Sequence, residues 1–442
     1  MKNLIILISV LLLFISQSLY SQSGWIQQSG GISVTLNSTY FINPYTGWIC
    51  GDSGKIIKTT NAGSNWIPEI SNTIYPLISV FFINENTGWC AGGTADFNMF
   101  VNRMFVLKTT NSGLTWTTAF YSNSSYSRFG PIFFTDDMHG YVVEQGGTGS
   151  GTVGGLWKSS NGGFDWMPVQ GVSATQDLQF TDLNTGWTIG SYFDDTGHDT
   201  SYIFRTIDGG AAWDKIFQKS KTVLLSSSFL NNSTGWISGV DNENFLNANL
   251  LLKTTNGGMN FTRHDLEIGM YFRSITFKNN MQGWACGNNV YRTTDGGNNW
   301  VMQLSNSGSF YNSIFFVDSL NGWVVGYDGV IFSTRTGGIT AVNNYSVNSP
   351  TDFILDQNYP NPFNPKTIIN YELPSNVNGQ RADVKLIVYD LLGKEIVTLV
   401  DAKQNPGSYS IDFDGSNLPS GIYLYKLTTG EYIEVRKMTL LK

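Results

Sequence analysis

Short apolar runs alternate with polar, Gly-rich turns along most of the chain, which is the pattern of many short β-strands. One unit recurs. It consists of an apolar strand ending in Asn or Asp, a Gly-aromatic pair, a second strand and a Gly-rich turn that leads to another aromatic residue. The pair occurs seven times, 39 to 52 residues apart, at Gly47-Trp48, Gly88-Trp89, Gly140-Tyr141, Gly186-Trp187, Gly235-Trp236, Gly283-Trp284 and Gly322-Trp323.

The turns have a shared local chemistry. An Asn or Asp side chain is expected to bond nearby backbone N–H groups, Gly takes the left-handed conformation, and the following aromatic residue re-enters the core. A seventh turn, Ser333 to Thr340, is degenerate and lacks the aromatic residue. The structural Asn and Asp positions are Asn61, Asn111, Asn161, Asp208, Asn256 and Asp295.

A period of 40 to 50 residues with four short strands is typical of a β-propeller blade. The last unit ends at its turn without an outermost strand, whereas residues 24–28 begin Gly-Trp-Ile and resemble the segment after a complete turn at Trp66. We therefore expect Trp25 to Gln28 to supply the missing strand of the last blade, which removes a free sheet edge. The expected fold is all-β, a seven-bladed propeller over residues 24–345.

These turns resemble the Asp-box, or bacterial neuraminidase repeat, and the whole unit resembles the propeller of photosystem II stability and assembly factors. The resemblance covers about 320 residues. It implies the fold but not a function, because Asp-boxes occur in sialidases, xyloglucanases, sortilin-type receptors and assembly factors alike.

Composition narrows the class of protein. Hydrophobic residues make up 41% of the chain and charged residues 13%, so a large core is available and disorder is disfavoured. The net charge of -7 leaves no basic stripe able to neutralise phosphates, so no nucleic-acid partner is expected. Cys50, Cys90 and Cys286 each follow a Gly-Trp pair, which favours buried small hydrophobes over a disulfide framework.

The N-terminus has the layout of a secretory signal peptide, which we assign to residues 1–22. Lys2 precedes an apolar run from Leu4 to Ile15, and small and polar residues follow. The alternative is a buried first helix or strand. The apolar run is shorter than the roughly 20 residues that a membrane-spanning helix needs.

After a polar linker at residues 346–350, the composition changes over residues 351–442. Trp disappears, and six or seven alternating segments predict a small immunoglobulin-like β-sandwich. Its opening Asn358-Tyr-Pro-Asn-Pro-Phe-Asn-Pro, its centre Val388-Tyr-Asp-Leu-Leu-Gly-Lys and its closing Leu418-Pro-Ser-Gly-Ile-Tyr resemble the type A sorting domain of type IX secretion.

That resemblance implies export through the type IX machinery to the outer-membrane surface or the medium. In the family the module is commonly removed, and the cargo is attached to surface lipopolysaccharide. A photosynthetic assembly role is disfavoured, because export would place this chain far from any thylakoid.

Ligand contacts are expected on the face opposite the Asp-box turns, where long insertions fall in four consecutive blades: Gly92 to Phe105, Gln145 to Gly155, Ser191 to Tyr202 and Val240 to Asn249. Aromatic, Arg and carboxylate side chains there suit a glycan or an envelope protein. The alternative is that most of them pack within their own loops. The candidate ligand residues are Tyr126, Arg128, Tyr192, Asp195, His198, Asp241, Phe245, Tyr271, Arg273 and Tyr311.

A sialidase is disfavoured because the nearest match to its early motif, Phe272-Arg273-Ser274-Ile275, lacks the Pro. No Ser-His-Asp or phosphate-loop pattern of other enzyme classes occurs in the sequence. A metal at Asp194, Asp195, His198 and Asp199 is less expected than a solvated acidic loop. We therefore expect a non-catalytic binding or scaffold protein without cofactor or metal. The alternative is a glycoside hydrolase that uses paired carboxylates on the loop-rich face.

Overall fold

The computed structural model describes residues 24–96, 101–122, 127–146, 154–173, 175–193, 199–243, 248–267, 269–305, 310–339, 353–358, 361–374, 382–404, 407–430 and 432–441. The predicted signal peptide and linker lie outside these ranges. The chain divides into two compact units, residues 1–342 and 343–442. Among the described residues, no helix is long and apolar enough to cross a membrane.

The first unit is built from seven four-stranded antiparallel sheets, each forming one blade. The chain begins with β1 (Gly24–Gln28). Blade 1 contains β2 (Leu36–Phe41), β3 (Gly47–Gly51), β4 (Ile56–Thr59) and β5 (Ile67–Glu69). Blade 2 contains β6 (Leu77–Phe82), β7 (Gly88–Asp96), β8 (Val101–Thr109) and β9 (Thr117–Ser122). Blade 3 contains β10 (Ser127–Phe134), β11 (Gly140–Gly146), β12 (Gly155–Ser159) and β13 (Met167–Ser173). Blade 4 contains β14 (Asp177–Phe180), β15 (Gly186–Phe193), β16 (Asp199–Thr206) and β17 (Asp214–Ser220).

The remaining blades follow the same order. Blade 5 contains β18 (Thr222–Phe229), β19 (Gly235–Asp241), β20 (Ala248–Thr254) and β21 (Thr262–Asp265). Blade 6 contains β22 (Phe272–Phe277), β23 (Gly283–Gly287), β24 (Asn289–Thr293) and β25 (Val301–Ser305). Blade 7 contains β26 (Tyr311–Phe316), β27 (Gly322–Gly326), β28 (Ile331–Gly338) and, outermost, β1. Short 3₁₀ turns occur at Asp52–Gly54 and Tyr327–Gly329.

The predicted closure of the ring is confirmed. Strand β1 pairs antiparallel with β28, with Gln28 opposite Ile331. Trp25 lies edge-on to Phe316 at 5.8 Å, and the turn aromatic Trp66 makes the equivalent contact with Phe41 in blade 1. The first strands of blades 7 and 1 are in contact, so the seven blades form a closed propeller, as the sequence predicts.

The Gly-aromatic pairs hold neighbouring blades together. Each aromatic ring stacks on the Phe that ends the first strand of the next blade, with ring centroids 3.5 to 4.5 Å apart. The Gly is required by this packing: a Cβ at Gly235 would lie 2.2 Å from the Phe229 ring. The seven stacked pairs are Trp48–Phe82, Trp89–Phe134, Tyr141–Phe180, Trp187–Phe229, Trp236–Phe277, Trp284–Phe316 and Trp323–Phe41.

A hydrogen bond accompanies most of these stacked pairs. Trp48 Nε1 donates to Ser112 O in the Gly-rich turn of the next blade, and Lys58 Nζ, which lies over the Trp48 ring, donates to the same carbonyl at 2.9 Å. Trp236 and Lys253 repeat the arrangement on Gly296 O. Each of these joints therefore combines aromatic stacking with a charge-assisted hydrogen bond.

The joint between blades 7 and 1 is built differently. Ser333 occupies the position of the cation, and Trp323 Nε1 has no hydrogen-bond partner among the described residues. Gln28 of β1 bridges the gap. Its Nε2 donates to Ala62 O at 3.0 Å, and its Oε1 accepts from Trp66 Nε1 at 3.3 Å. The N-terminal strand thus supplies the bond that blade 7 cannot make.

Replacing Gln28 by Leu should therefore destabilise the propeller by about 1–3 kcal/mol, because Ala62 O and Trp66 Nε1 lose their partner. Gln27→Leu is the matched control, since Gln27 is exposed on the same strand. Urea unfolding followed by tryptophan fluorescence measures both changes. Equal stability of the two variants would contradict the assigned role of Gln28.

The six Asn and Asp turn positions share one geometry. In each, the Oδ1 atom accepts the N–H of the residue four positions later at 2.9 to 3.0 Å. The N–H of Ala212 contributes most to lowering the pKa of the Asp208 carboxyl. The side chains are those of Asn61, Asn111, Asn161, Asp208, Asn256 and Asp295. The three cysteines are buried free thiols, as predicted.

The second unit is a two-sheet sandwich. One sheet has the order β29 (Ile354–Leu355), β30 (Lys366–Leu373), β33 (Gly407–Asp414). The other has the order β32 (Glu395–Gln404), β31 (Ala382–Asp390), β34 (Gly421–Thr429), β35 (Tyr432–Leu440). Side chains from both sheets form one hydrophobic core. The opening motif is fixed to this core: Asn358 is buried, its N–H donates to Tyr425 Oη at 2.7 Å, and its Nδ2 donates to Thr367 Oγ1.

Candidate functional site

A central channel runs between the first strands of all seven blades. It encloses a cavity of about 710 Å³, a size typical of small-ligand sites. Hydrogen bonds join the first strands of neighbouring blades. In each bond, the hydroxyl oxygen of a Ser accepts a backbone N–H from the first strand of the next blade at 3.2 to 3.4 Å. These bonds are made by Ser38, Ser79, Ser226, Ser274 and Ser313.

Aromatic rings line the channel near the ends of the first strands. The Tyr40 ring lies 5.1 Å from both Phe81 and Phe315, and Phe81 lies 5.0 Å from Phe133. Burial raises the pKa of Tyr40 to about 12, so its hydroxyl stays neutral. This end of the channel is therefore lined by aromatic rings, and Lys278 Nζ lies 5.5 Å from the centroid of the Phe315 ring.

Asp177 replaces the bonding Ser in blade 4. Its Oδ2 accepts the N–H of Ser227 at 2.7 Å and the Ser227 hydroxyl at 3.1 Å, and its Oδ1 accepts the N–H of Leu178. Burial raises the pKa of this carboxyl above its ordinary value. Oδ2 thus joins blades 4 and 5, whereas Oδ1 bonds within β14 of blade 4.

Two guanidinium groups lie at the other end, where the first strands begin. Arg128 and Arg273 both reach solvent there. Desolvation by nearby protein atoms, together with the charge of Arg273, lowers the pKa of Arg128, while Asp52 opposes the shift. Arg128 Nε donates to Gln145 Oε1 at 3.3 Å. We call this end the channel mouth.

A β-bulge in the first strand directs several side chains toward the channel mouth. The register with the second strand shifts between Leu36 and Ser38 in blade 1, and blades 2, 5, 6 and 7 shift at the equivalent position. A bulge inserts one extra residue and re-aims its side chain. The inserted residues, all of which line the channel, are Asn37, Ile78, Leu225, Arg273 and Asn312.

Two polar groups complete the mouth. Asn37 Nδ2 donates to Asp52 Oδ1 at 2.9 Å and to Leu77 O at 3.0 Å. Asn312 Nδ2 donates to Leu36 O, whereas its buried Oδ1 has no hydrogen-bond partner among the described residues. Asn37, Asp52 and Asn312 could not be predicted as site residues, because strand alternation does not reveal where a bulge falls.

Of the predicted ligand residues that the structure describes, Arg128 and Arg273 come together and the others lie elsewhere. Tyr192 stacks on Tyr202, with centroids 5.8 Å apart, in a separate cleft of about 420 Å³. Tyr271 is half-buried in the segment before β22. Four predicted residues lie outside the described ranges: Tyr126, Asp195, His198 and Phe245.

Asp241 belongs to a buried ion-pair cluster. Lys219 Nζ lies 2.8 Å from its Oδ2, and Arg263 bonds the same oxygen. Burial alone would raise the pKa of Asp241, but the hydrogen bonds from Lys219, Glu243 and Arg263 lower it to about 2. The carboxylate pairs with Lys219 of blade 4 and Arg263 of blade 5, so its observed role is structural.

The position of Tyr311 differs from the expectation. It is fully buried and packs edge-on against Phe332, whereas its neighbour Phe310 is 43% exposed. Because side chains alternate along a strand, only one of two adjacent aromatic residues faces outward. Tyr311 therefore belongs to the core rather than to a ligand surface.

The insertions are not simple loops in three of the four blades. Strands two and three continue as paired hairpins up to Asp96 and Val101, Phe193 and Asp199, and Asp241 and Ala248. Within the described residues, no group of three or more His, Cys, Asp or Glu side chains converges to hold a metal ion.

Comparison with solved structures supports the fold. The structure titled YCF48 bound to D1 peptide matches with a TM-score of 0.54 and 17% identity, covering 72% of this chain and 98% of that one. YCF48 from Cyanidioschyzon merolae gives 0.50 and 18%, covering 70% and 98%. The GH74 enzyme of Niastella koreensis gives 0.51 and 16%, covering 79% of this chain and 59% of that one.

A sequence search of curated proteins finds no match. Residues 357–440 match the family described as secretion system C-terminal sorting domain. This match indicates type IX export to the cell surface or the medium. The chain is thus a β-propeller of the fold seen in YCF48 and GH74 structures, joined to a C-terminal secretion sorting domain.

Proposed function

We propose that this protein is a non-catalytic binding protein of the cell surface, and that its channel mouth captures an anionic group of a glycan or an envelope protein. The presence of both Arg128 and Arg273 in the lining of one cavity carries this proposal. Two like charges that line one cavity repel each other, and a bound anion would relieve that repulsion. Guanidinium groups bind carboxylates through paired, charge-assisted hydrogen bonds.

The carboxylates of the mouth favour binding over hydrolysis. Among the described residues that line the channel, the acidic side chains are Asp52 and Asp177. Asp177 accepts two hydrogen bonds from Ser227 of blade 5 and one from Leu178 of its own strand, which leaves Asp52 as the accessible carboxylate. A glycoside hydrolase ordinarily needs two carboxylates flanking the scissile bond.

Two structural neighbours illustrate the alternatives. One YCF48 structure is described as bound to a peptide, which shows that a propeller of this fold serves as a binding module. The GH74 enzyme shares the fold as well, and it keeps glycoside hydrolysis as the second candidate function. A hydrolase would release reducing ends, and neutralising one catalytic carboxylate would abolish turnover but not binding.

The full chain is to be incubated with neutral and uronate-containing polysaccharides and with solubilised envelope proteins, while retention and reducing-end release are followed together. We expect retention of an anionic ligand without release. Arg128→Gln combined with Arg273→Gln should weaken that retention roughly ten-fold or more, since hydrogen bonds to charged groups are lost.

Arg335→Gln is the matched control, because Arg335 is an exposed arginine near Tyr45 that does not line the channel. It should bind as the unmodified chain does. Undiminished binding by the double variant would contradict a role for the mouth. Release of reducing ends would favour the hydrolase instead.

A further inference from the structure

A second cavity, of about 730 Å³, lies between blades 1 and 2 and shares no lining residue with the channel. One wall is the segment that connects the two blades, Pro68 to Tyr75. The other wall comes from strands β8 and β9 of blade 2 and includes Arg103, Phe105 and Tyr121. We call this cavity the interblade cleft.

Arg103 is the charged centre of the interblade cleft. Its guanidinium carbon lies 4.8 Å from the Tyr75 ring centroid and 5.8 Å from that of Tyr121. Cation–π contacts of this kind fix the orientation of a guanidinium and leave its N–H edge available. Among the side chains that the structure describes, which exclude those of residues 95–102, none forms an ion pair with Arg103.

The acid of the interblade cleft has a different electrostatic partner. Glu69 lines the cavity, and the cation that acts on its carboxyl is Lys58. The rings of Tyr75 and Tyr121 thus orient the Arg103 guanidinium. The side chains that the structure describes include no carboxylate that forms an ion pair with it. A carboxylate supplied from outside the chain would complement it through two parallel hydrogen bonds.

The remaining lining indicates what carries that carboxylate. Ile70 and Ile74 are 72% and 79% exposed at the rim of the cleft. Aliphatic side chains offer no ring face for a sugar, and the rings of Tyr75 and Tyr121 already contact Arg103. Tyr and Arg next to exposed aliphatic residues are instead characteristic of protein interfaces.

We propose that the interblade cleft binds a polypeptide segment of a partner protein that presents a carboxylate next to an aliphatic side chain. Arg103 binds the carboxylate, and Ile70 and Ile74 cover the aliphatic group. The interblade cleft is separate from the channel mouth. This proposal can therefore be tested independently of the function proposed for Arg128 and Arg273.

The test is selection of random nonapeptides on a display library against the purified full chain. We expect enrichment of peptides with Asp or Glu beside Ile, Leu or Val. Arg103→Gln should weaken their binding roughly ten-fold or more, and Arg103→Lys should lie between, since it keeps the charge but loses the planar fork. Ile74→Ser should weaken binding independently of the charge.

Arg335→Gln serves as the control and should leave peptide binding unchanged, because Arg335 is an exposed arginine that lines neither the interblade cleft nor the channel. Polygalacturonate is titrated in parallel as the glycan probe. Selection without an acidic-aliphatic motif, or peptide binding that survives Arg103→Gln, would overturn the proposal. Polygalacturonate binding that depends on Arg103 would replace the peptide with an acidic glycan and overturn it as well.

Discussion

Removing residues 351–442 should leave nearly all of the protein in the periplasm, with essentially none outside the cell. The deleted segment contains the match to the sorting domain at residues 357–440. The propeller should still fold, because its ring is closed by β1 and β28 and its cores are formed within residues 24–339. Export and folding are therefore separable in this chain.

Immunoblots of periplasmic, surface and medium fractions measure the outcome, and protease resistance of the periplasmic form reports folding. The control is Leu392→Ser, a change at a turn residue that is 95% exposed in the sorting domain, which should be exported normally. Normal amounts of the truncated chain outside the cell would contradict the assignment of residues 351–442 as the export signal. A protease-sensitive periplasmic form would show instead that the deletion disrupts folding.

Much of the propeller could be predicted because its blades repeat. Each Gly-aromatic pair marks the start of a second strand, and seven such pairs gave the blade number. The role of β1 could be predicted from one motif, since Gly24-Trp25-Ile26 resembles the residues after a complete turn. Because each blade packs in the same way, the same sequence motif recurs in each blade. A blade whose motif is degenerate can therefore still be recognised from the spacing of the others.

The candidate site was only partly predictable, because it depends on departures from the repeat. Arg273 reaches the mouth through a β-bulge, and a one-residue insertion is invisible to an alternation pattern. The same ambiguity placed Tyr311 on the surface when Phe310 is the exposed residue. The role of Gln28 was also missed, since it compensates for a missing cation at Ser333, far away in sequence.

Replacing Trp236 by Ala should destabilise the propeller by roughly 3–5 kcal/mol, the range for truncating a fully buried aromatic residue. Trp236 is completely buried, lies parallel to Phe277 at 3.8 Å, and donates Nε1 to Gly296 O at 2.9 Å. Its loss therefore opens a cavity at the joint of blades 5 and 6 and removes a hydrogen bond in the same step. Trp236→Phe, which keeps a ring for stacking, should cost less.

Tryptophan fluorescence during urea unfolding isolates this effect, because all 13 Trp residues precede the sorting domain. The control is Met259→Ala in the Asp-box turn of blade 5, where the side chain is 75% exposed and a change within about 0.5 kcal/mol is expected. A Trp236→Ala variant as stable as this control would mean that the stacked pairs do not hold the ring. In that case the stability of the propeller would have to come from the pairing of β1 with β28 rather than from the seven stacked pairs.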